Sequence, residues 1–328
     1  MAKYNDIFGK KIQYIASDPS NLTEGDAWYN SSSNTFKARA FASGSWSSGD
    51  TVNTGRFFLG GASYAATNAA VAYGGDTGPA RVGNTEENNG SSWSEENNLS
   101  TARSALGSCG IQTAALGWCG YESGGKVDSE EYNGSSWSGE TDYPGSARYF
   151  DGGGSGVSSS SALSFGANGT AEVYEYNGSS WAEQTDLPAT KTYGGGFGTQ
   201  TSSFVTGGQP AITASVSYNG SAWSSEPAIN TGRHRMGHAG TSDAAGVIWG
   251  GSNDGDSDNE IRNTEDWNGT SWSESALLAV KRDSPSNGSG SASSAMNAFG
   301  EFKGGGNQTS TENYSGPAVG TQTISTSE

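Results

Sequence analysis

The stretch Tyr132-Asn133-Gly134-Ser135-Ser136-Trp137 decides the reading of this chain, because close copies of it recur five more times. The copies end at Trp46, Trp93, Trp181, Trp223 and Trp272, and the six tryptophans step by 47, 44, 44, 42 and 49 residues. Ten residues after each Trp, eleven in one case, stands a basic residue: Arg56, Arg103, Arg148, Lys191, Arg233 or Arg282. Sixteen to eighteen residues further on comes a small-residue stop: Gly74-Gly75, Cys119-Gly120, Gly166, Gly207-Gly208, Gly250-Gly251 and Gly300. Three landmarks in a fixed order, six times over, make an internal repeat, and a repeat governs the fold.

Asn-Gly between two alternating segments is a hairpin signal, and a type I′ turn, with both central residues at positive φ, is expected there. The flanking aromatics, such as Tyr132 and Trp137, then face each other across paired strands. A short apolar strand precedes each stop, as in Ala70 to Tyr73, Ala115 to Trp118, Gly246 to Trp249 and Met296 to Phe299. A glycine-rich strand follows each basic residue, as at Gly194-Gly195-Gly196. Helical periodicity is absent outside 276–280. Each unit of 42 to 49 residues therefore holds four short strands, the content of a β-propeller blade.

The order of basic residue, strand, apolar strand, Gly pair, Tyr, turn and Trp resembles the kelch repeat over residues 41–316. The pattern departs from kelch where Cys119, Ala167 and Glu301 break the Gly pair and where Asn88 replaces the Tyr. The shortened turn also resembles the Asp-box hairpin of sialidase propellers, with Asn in place of Asp. The resemblance implies an all-β, six-bladed kelch-like β-propeller. Tyr314 has no Trp after it and Trp46 has no complete unit before it, so the segment around Trp46 is expected to supply the missing fourth strand of the last blade. Closure of this kind removes two exposed sheet edges. Seven blades are the alternative, with 14–41 forming a reduced blade. The domain reading is 1–40 as an N-terminal docking segment with a small hairpin, 41–316 as the propeller, and 317–328 as an extended tail.

Composition is consistent with such a particle. Hydrophobic residues are only 32% of the 328, while 17 basic against 34 acidic residues give a net charge of −17. Those values alone suggest disorder, but 10 Trp, 14 Tyr and their regular placing oppose it. Small aromatic layers between neighbouring blades take the place of one aliphatic core. The acidity argues against nucleic-acid binding, which needs cations to displace counterions. No apolar run approaches a membrane span, and the start of the sequence has no apolar segment of a secretory signal. Cys109 and Cys119 would lie on one hairpin, where a bridge is conceivable and two buried thiols are the plainer reading.

The phrase from Asp18 to Asn30, with Gly25-Asp26-Ala27-Trp28 at its heart, resembles a segment of tailed-bacteriophage structural proteins, and the Asn-Gly-Ser-Ser-Trp style is similar to propeller-bearing virion proteins of marine phages. The resemblance implies a non-enzymatic virion protein of a tail fibre, tail or capsid, assembled in the host cytoplasm and docked through its N-terminal segment. Its partners would be other virion proteins, further copies of itself, or a host-surface glycan or protein. A carbohydrate-binding or carbohydrate-cleaving propeller is the alternative, and a cellular kelch-type adaptor a third reading.

The candidate binding residues lie in the loops after the small-residue stops, where the repeats differ: Asp76, Arg81, Glu122, Gln209, Asn253 and Asn307. Loops on a rigid scaffold are where recognition concentrates. No catalytic constellation is visible. His234 and His238 would be roughly 13 Å apart on one strand face at ~3.3 Å per residue, too far to share a metal. The repeated arginines read as one structural position per blade rather than a sialidase clamp. No cofactor is expected. Asp254, Asp256 and Asp258 alternate as calcium ligands do, although a solvated acidic loop is the plainer reading of them.

Overall fold

The computed structural model describes residues 12–20, 26–64, 67–144, 153–166, 169–253, 259–285, 289–302 and 306–323. The described residues form β-strands and no α-helix, so 276–280 is not helical. The chain divides into two compact bodies: Ser45–Gly316, and the two chain ends Met1–Gly44 with Pro317–Glu328.

The larger body repeats one four-stranded antiparallel meander. Its clearest copy runs Gly107–Ile111, Ala114–Trp118, Ser129–Tyr132 and Trp137–Glu140, paired in that order. Equivalent sheets begin with Gly60–Tyr64, Gly154–Ser158, Gly195–Thr199, Gly237–Ser242 and Ser289–Ser291. We number them I to VI in chain order, the clearest copy being sheet II. Sheet VI takes its fourth strand from the other end of the sequence: Ser45–Ser48 pairs antiparallel with Glu312–Ser315, and Trp46 lies opposite Tyr314. A short parallel contact, Ser289 to Ser63 and Gly290 to Tyr64, joins sheets VI and I into eight strands. The first strands lie against one another, II beside I, III beside II, and so on to VI beside I. Among them is a cavity of about 40 Å³, lined by residues including Gly61, Cys109, Ser155, Phe197 and His238. Both cysteines are buried and free.

Cohesion between sheets comes from one repeated wedge. Outside sheet I, where Asn88 lies opposite Trp93, the Trp that opens the fourth strand packs on the aromatic at the third-strand end of its own sheet, as in Tyr132–Trp137 at 5.0 Å. It also meets the aromatic at or near the second-strand end of the preceding sheet: Tyr73–Trp137 at 4.6 Å, Trp118–Trp181 at 5.4 Å, Trp249–Trp46 at 5.4 Å and Phe299–Trp93 at 5.4 Å. Edge-to-face pairs of this kind add about 0.5–1.5 kcal/mol beyond their buried area. Several indole N–H groups then reach a hydroxyl on that preceding sheet, as Trp137 to Thr85, Trp181 to Ser129 and Trp46 to Thr264. The buried apolar residues fall into six clusters, each made from two neighbouring sheets. Glycine on the first strand makes room: a Cβ on Gly154 would lie 2.5 Å from the Trp118 ring.

Two local expectations change. The hairpin turns are not type I′: the Tyr132–Trp137 pairing leaves four residues in the loop, and only the Gly has positive φ (Gly134, +90°). The Asn133 carboxamide accepts the Ser135 and Ser136 N–H groups, so its side chain closes the turn in place of backbone. The stop also has a different register at Gly300. Its first position has φ near +60° and admits L-residues, as at Cys119 (+57°) and Phe299 (+62°). Its second position has φ of +109° at Gly75, +110° at Gly120, +117° at Gly208 and +88° at Gly300, a region that strongly favours glycine, while Ala167 lies outside the described residues. Phe299-Gly300 is therefore the pair, Glu301 lies beyond it, and the second strand ends at Asn297.

In the smaller body, Ala27–Asn30 pairs parallel with Gln13–Ile15 and antiparallel with Thr35–Ala42, which pairs in turn with Ala318–Thr323. Asp18 organises it by accepting from the Trp28 indole, the Asn30 amide and Lys37. Those hydrogen bonds, that from Lys37 first, hold its carboxyl down at about 2.

Trp46→Ala should cost about 3–5 kcal/mol of stability, the range for a large aromatic truncated within packed surroundings, and match Trp137→Ala in urea unfolding. A near-neutral Trp46→Ala would mean that Ser45–Ser48 is not part of sheet VI.

Candidate binding face

Two sets of connections run side by side in the repeat body. One leads from a fourth strand to the first strand of the next sheet and carries the basic residue; the other joins second and third strands after the stop. Backbone bridges tie them together at Phe57–Asp76, Ser104–Tyr121, His234–Ser252 and Asp283–Glu301.

The basic residues are structural. Arg56, Arg103, Arg233 and Arg282 are each 0% exposed. Each faces a third-strand carboxylate: Arg103–Glu130 at 2.7 Å, Arg233–Glu265 at 2.5 Å, Arg56–Glu86 at 3.2 Å and Arg282–Glu312 at 3.3 Å. The same carboxylates accept backbone N–H groups from the incoming connection, as Glu86 from Asn53, Glu130 from Ser100 and Glu265 from Asn230. Burial lowers the Arg233 and Arg282 affinities for their protons, the latter to about 10, against the opposing pull of Glu265 and Glu312. In sheet IV the corresponding third-strand residue is Val216, and the basic residue is Lys191, which donates to the Ala214 carbonyl. Without a carboxylate, burial pushes the Lys191 ammonium down to about 8. Arg148 lies outside the described residues.

Two residues beyond each described basic residue the backbone turns left-handed at a non-glycine: Phe58 (φ +51°), Ala105 (+55°), Tyr193 (+59°), Arg235 (+53°) and Ser284 (+48°). Their peptide groups link from sheet to sheet. Ala105 N–H donates to Phe58 O, Arg235 N–H to Tyr193 O and Ser284 N–H to Arg235 O. Side chains from this row converge: the Arg235 guanidinium stands 5.0 Å from the Phe58 ring centre and 4.6 Å from that of Tyr193. The two rings are stacked at 6.3 Å. Beneath lies Asp283, 1% exposed and 3.6 Å from Arg235, which is 16% exposed. Burial raises the Asp283 carboxyl to about 7, with Arg235 opposing and Glu301 adding to the rise. Burial likewise raises Glu301, again with Arg235 opposing.

The sequence-derived candidates all lie on the connections after the stops, and the structure joins only some of them. Asp76 and Arg81 form an ion pair at 3.7 Å, and Arg81 lies 4.5 Å above the Tyr121 ring. Glu122 pairs with Lys126 of its own loop at 2.8 Å. Gln209 N–H donates to Thr192 O, Asn253 accepts from Asn259, and Asn307 donates to Gly55 O. Asp254, Asp256 and Asp258 lie outside the described residues, and among those described no three His, Cys, Asp or Glu side chains are grouped as a metal site. His234 and His238 are buried, and burial brings His238 down to about 4. Phe58, Tyr193, Arg235 and Asp283 escape a reading of loops alone. Their signal is positional: the first three stand second after the repeat's basic residue, where otherwise constant units differ.

No protein-family profile matches the chain, and no curated protein shows significant similarity to it.

Two outcomes are expected. Glu130→Leu should cost about 3–5 kcal/mol by leaving Arg103 buried without a counter-charge, and the double variant Arg103→Met/Glu130→Leu should recover most of that. Urea midpoints of the two variants check this; equal losses would refute it. Asp283 is held well above its ordinary 3.8, so its contribution is most favourable below pH ~4 and weakens as pH rises towards 7. Asp283→Asn should therefore gain thermal stability over the parent at pH 8 but not at pH 4, in paired melting curves.

Proposed function

We infer that the chain is a six-bladed, kelch-like β-propeller that works as a non-enzymatic attachment component of a tailed-phage virion. In this reading Ser45–Ser48 closes the ring as the outer strand of the last blade, and the body built from the two chain ends is the docking module. Closure is supported by contacts between sheets VI and I that repeat those between sheets I and II. Phe299–Trp93 corresponds to Tyr73–Trp137, and Gly300 N–H to Arg56 O corresponds to Gly75 N–H to Arg103 O.

One observation carries the functional part. The charged residues common to the repeats are consumed in buried ion pairs that pin connections, while the residues that vary between repeats stand on the adjoining connections. A uniform, rigid frame with variable loops suits recognition rather than turnover. The virion assignment rests on the resemblance of the Asp18–Asn30 phrase and of the Asn-Gly-Ser-Ser-Trp repeats to phage structural proteins.

Antibody raised against the full chain should decorate purified phage particles at one structural site in electron micrographs. The chain should release no reducing ends from host polysaccharide. Absence from the particle would overturn the virion assignment, and sugar release would overturn the non-enzymatic one.

A further inference from the structure

Three cations on the paired connections share one arrangement: each is held by a carboxylate and lies over an aromatic ring. Arg81 pairs with Asp76 at 3.7 Å and lies 4.5 Å from the Tyr121 ring centre. Lys281 pairs with Glu260 at 2.9 Å and lies 5.8 Å from that of Phe302. Arg235 pairs with Asp283 at 3.6 Å and lies over Phe58 and Tyr193.

The backbone carries all three side chains of the Arg235 group on one repeated position. An L-residue in the left-handed region is strained and glycine is not. This chain has 51 glycines, yet Phe58, Tyr193 and Arg235 occupy such positions. Ala105 and Ser284 hold the same place in other repeats, so the strain belongs to the connection, and the Arg235 group is set apart by the side chains that converge on it. The guanidinium there also has hydrogen-bonding capacity to spare. Arg235 Nε finds no acceptor among the described residues.

The chemistry selects a ligand class. Because each cation has its own carboxylate, the groups set donors and acceptors side by side with little net field. An anion would meet Asp283 and Glu301 in a chain of net charge −17, and a cation would compete with Arg235 for Asp283. A neutral ring with vicinal hydroxyls on its rim and an apolar face fits planar polar groups beside aromatic surface. We propose that these connections bind neutral polysaccharide, with Arg235, Phe58 and Tyr193 as the central sugar subsite and Asp283 positioning the guanidinium. The Arg81 and Lys281 groups, whose cations are 40% and 43% exposed, take further sugar units of the same chain. This assignment rests on the attachment reading and names its ligand.

Saturation-transfer NMR on the full chain with maltohexaose, cellohexaose and xylohexaose, and with a hyaluronan hexasaccharide as the anionic control, tests it. At least one neutral probe should receive saturation, and the hyaluronan probe should receive less. Arg235→Gly should weaken that binding about tenfold or more, the loss of one charge-assisted hydrogen bond, and should lower the melting temperature by leaving Asp283 buried without its counter-charge. Tyr193→Gly, which leaves the Arg235–Asp283 pair in place, should weaken binding as well, and Ala105→Gly, at φ +55°, should leave it unchanged. A purely structural Arg235 would lose stability on the same change with binding by the folded protein undiminished. Saturation of none of the neutral probes, preference for hyaluronan, or undiminished binding by Arg235→Gly would overturn the proposal and leave the attachment reading standing. Release of reducing ends from a bound probe would instead overturn the attachment reading.

Discussion

The contact on which the repeat body depends is the edge of a fourth-strand tryptophan set against an aromatic of the preceding sheet. A four-stranded sheet of this length, with serine and glycine on most of its positions, cannot bury enough apolar area alone. The wedge lets it borrow that area from its neighbour. Trp137 reaches Tyr73, Trp181 reaches Trp118, Trp46 reaches Trp249 and Trp93 reaches Phe299. Each of the six apolar clusters is accordingly a seam between sheets rather than a layer within one. A chain with 32% hydrophobic residues can fold on these terms because 10 of its residues are Trp and most sit at seams.

The buried ion pairs do a different task. They add little net stability compared with an apolar pair of the same size, but they select one path for the connection between sheets. The carboxylate of Glu265 accepts from Asn230 and Thr231 as well as pairing with Arg233, so a displaced connection would leave several buried groups unpartnered. Sheet IV illustrates the rule by exception. Where Val216 replaces the carboxylate, the cation is Lys191, whose ammonium can donate to a carbonyl and shed its proton more readily than a guanidinium. Fixed connections in turn allow strained residues beside them. The left-handed backbone at Phe58, Tyr193 and Arg235 is held on one side by the buried cation and on the other by the opening strand.

Much of the architecture is legible in residue spacing. The Tyr-to-Trp interval, the basic residue ten positions later and the glycine stop mark three elements per repeat, and Tyr314 without its Trp points to Trp46, which lies opposite it. Finer features are not legible, because several backbone solutions share one sequence pattern. Asn-Gly is compatible with a two-residue turn, but the facing of Tyr132 and Trp137 leaves four residues and makes the Asn carboxamide the closing group. Likewise a broken Gly pair does not say which member is dispensable. The φ values separate them: near +60° at Cys119 and Phe299 an L-residue is tolerated, and near +110° at Gly120 glycine is strongly favoured.

The site divides along the same line. Variable loops are visible as departures from the repeat, so Asp76 and Arg81 could be picked out, yet nothing in their spacing announces that Arg81 lies over Tyr121 some forty positions on. Phe58, Tyr193, Arg235 and Asp283 stand far apart in the chain and come together through packing of successive sheets. The sequence by itself determined the repeat, the strand content and the aromatic seams, since these follow from periodicity and from which side chains can bury area. Only the tertiary structure decided which charged groups are locked and which remain at the binding face, because that depends on burial and on distances between residues of different sheets.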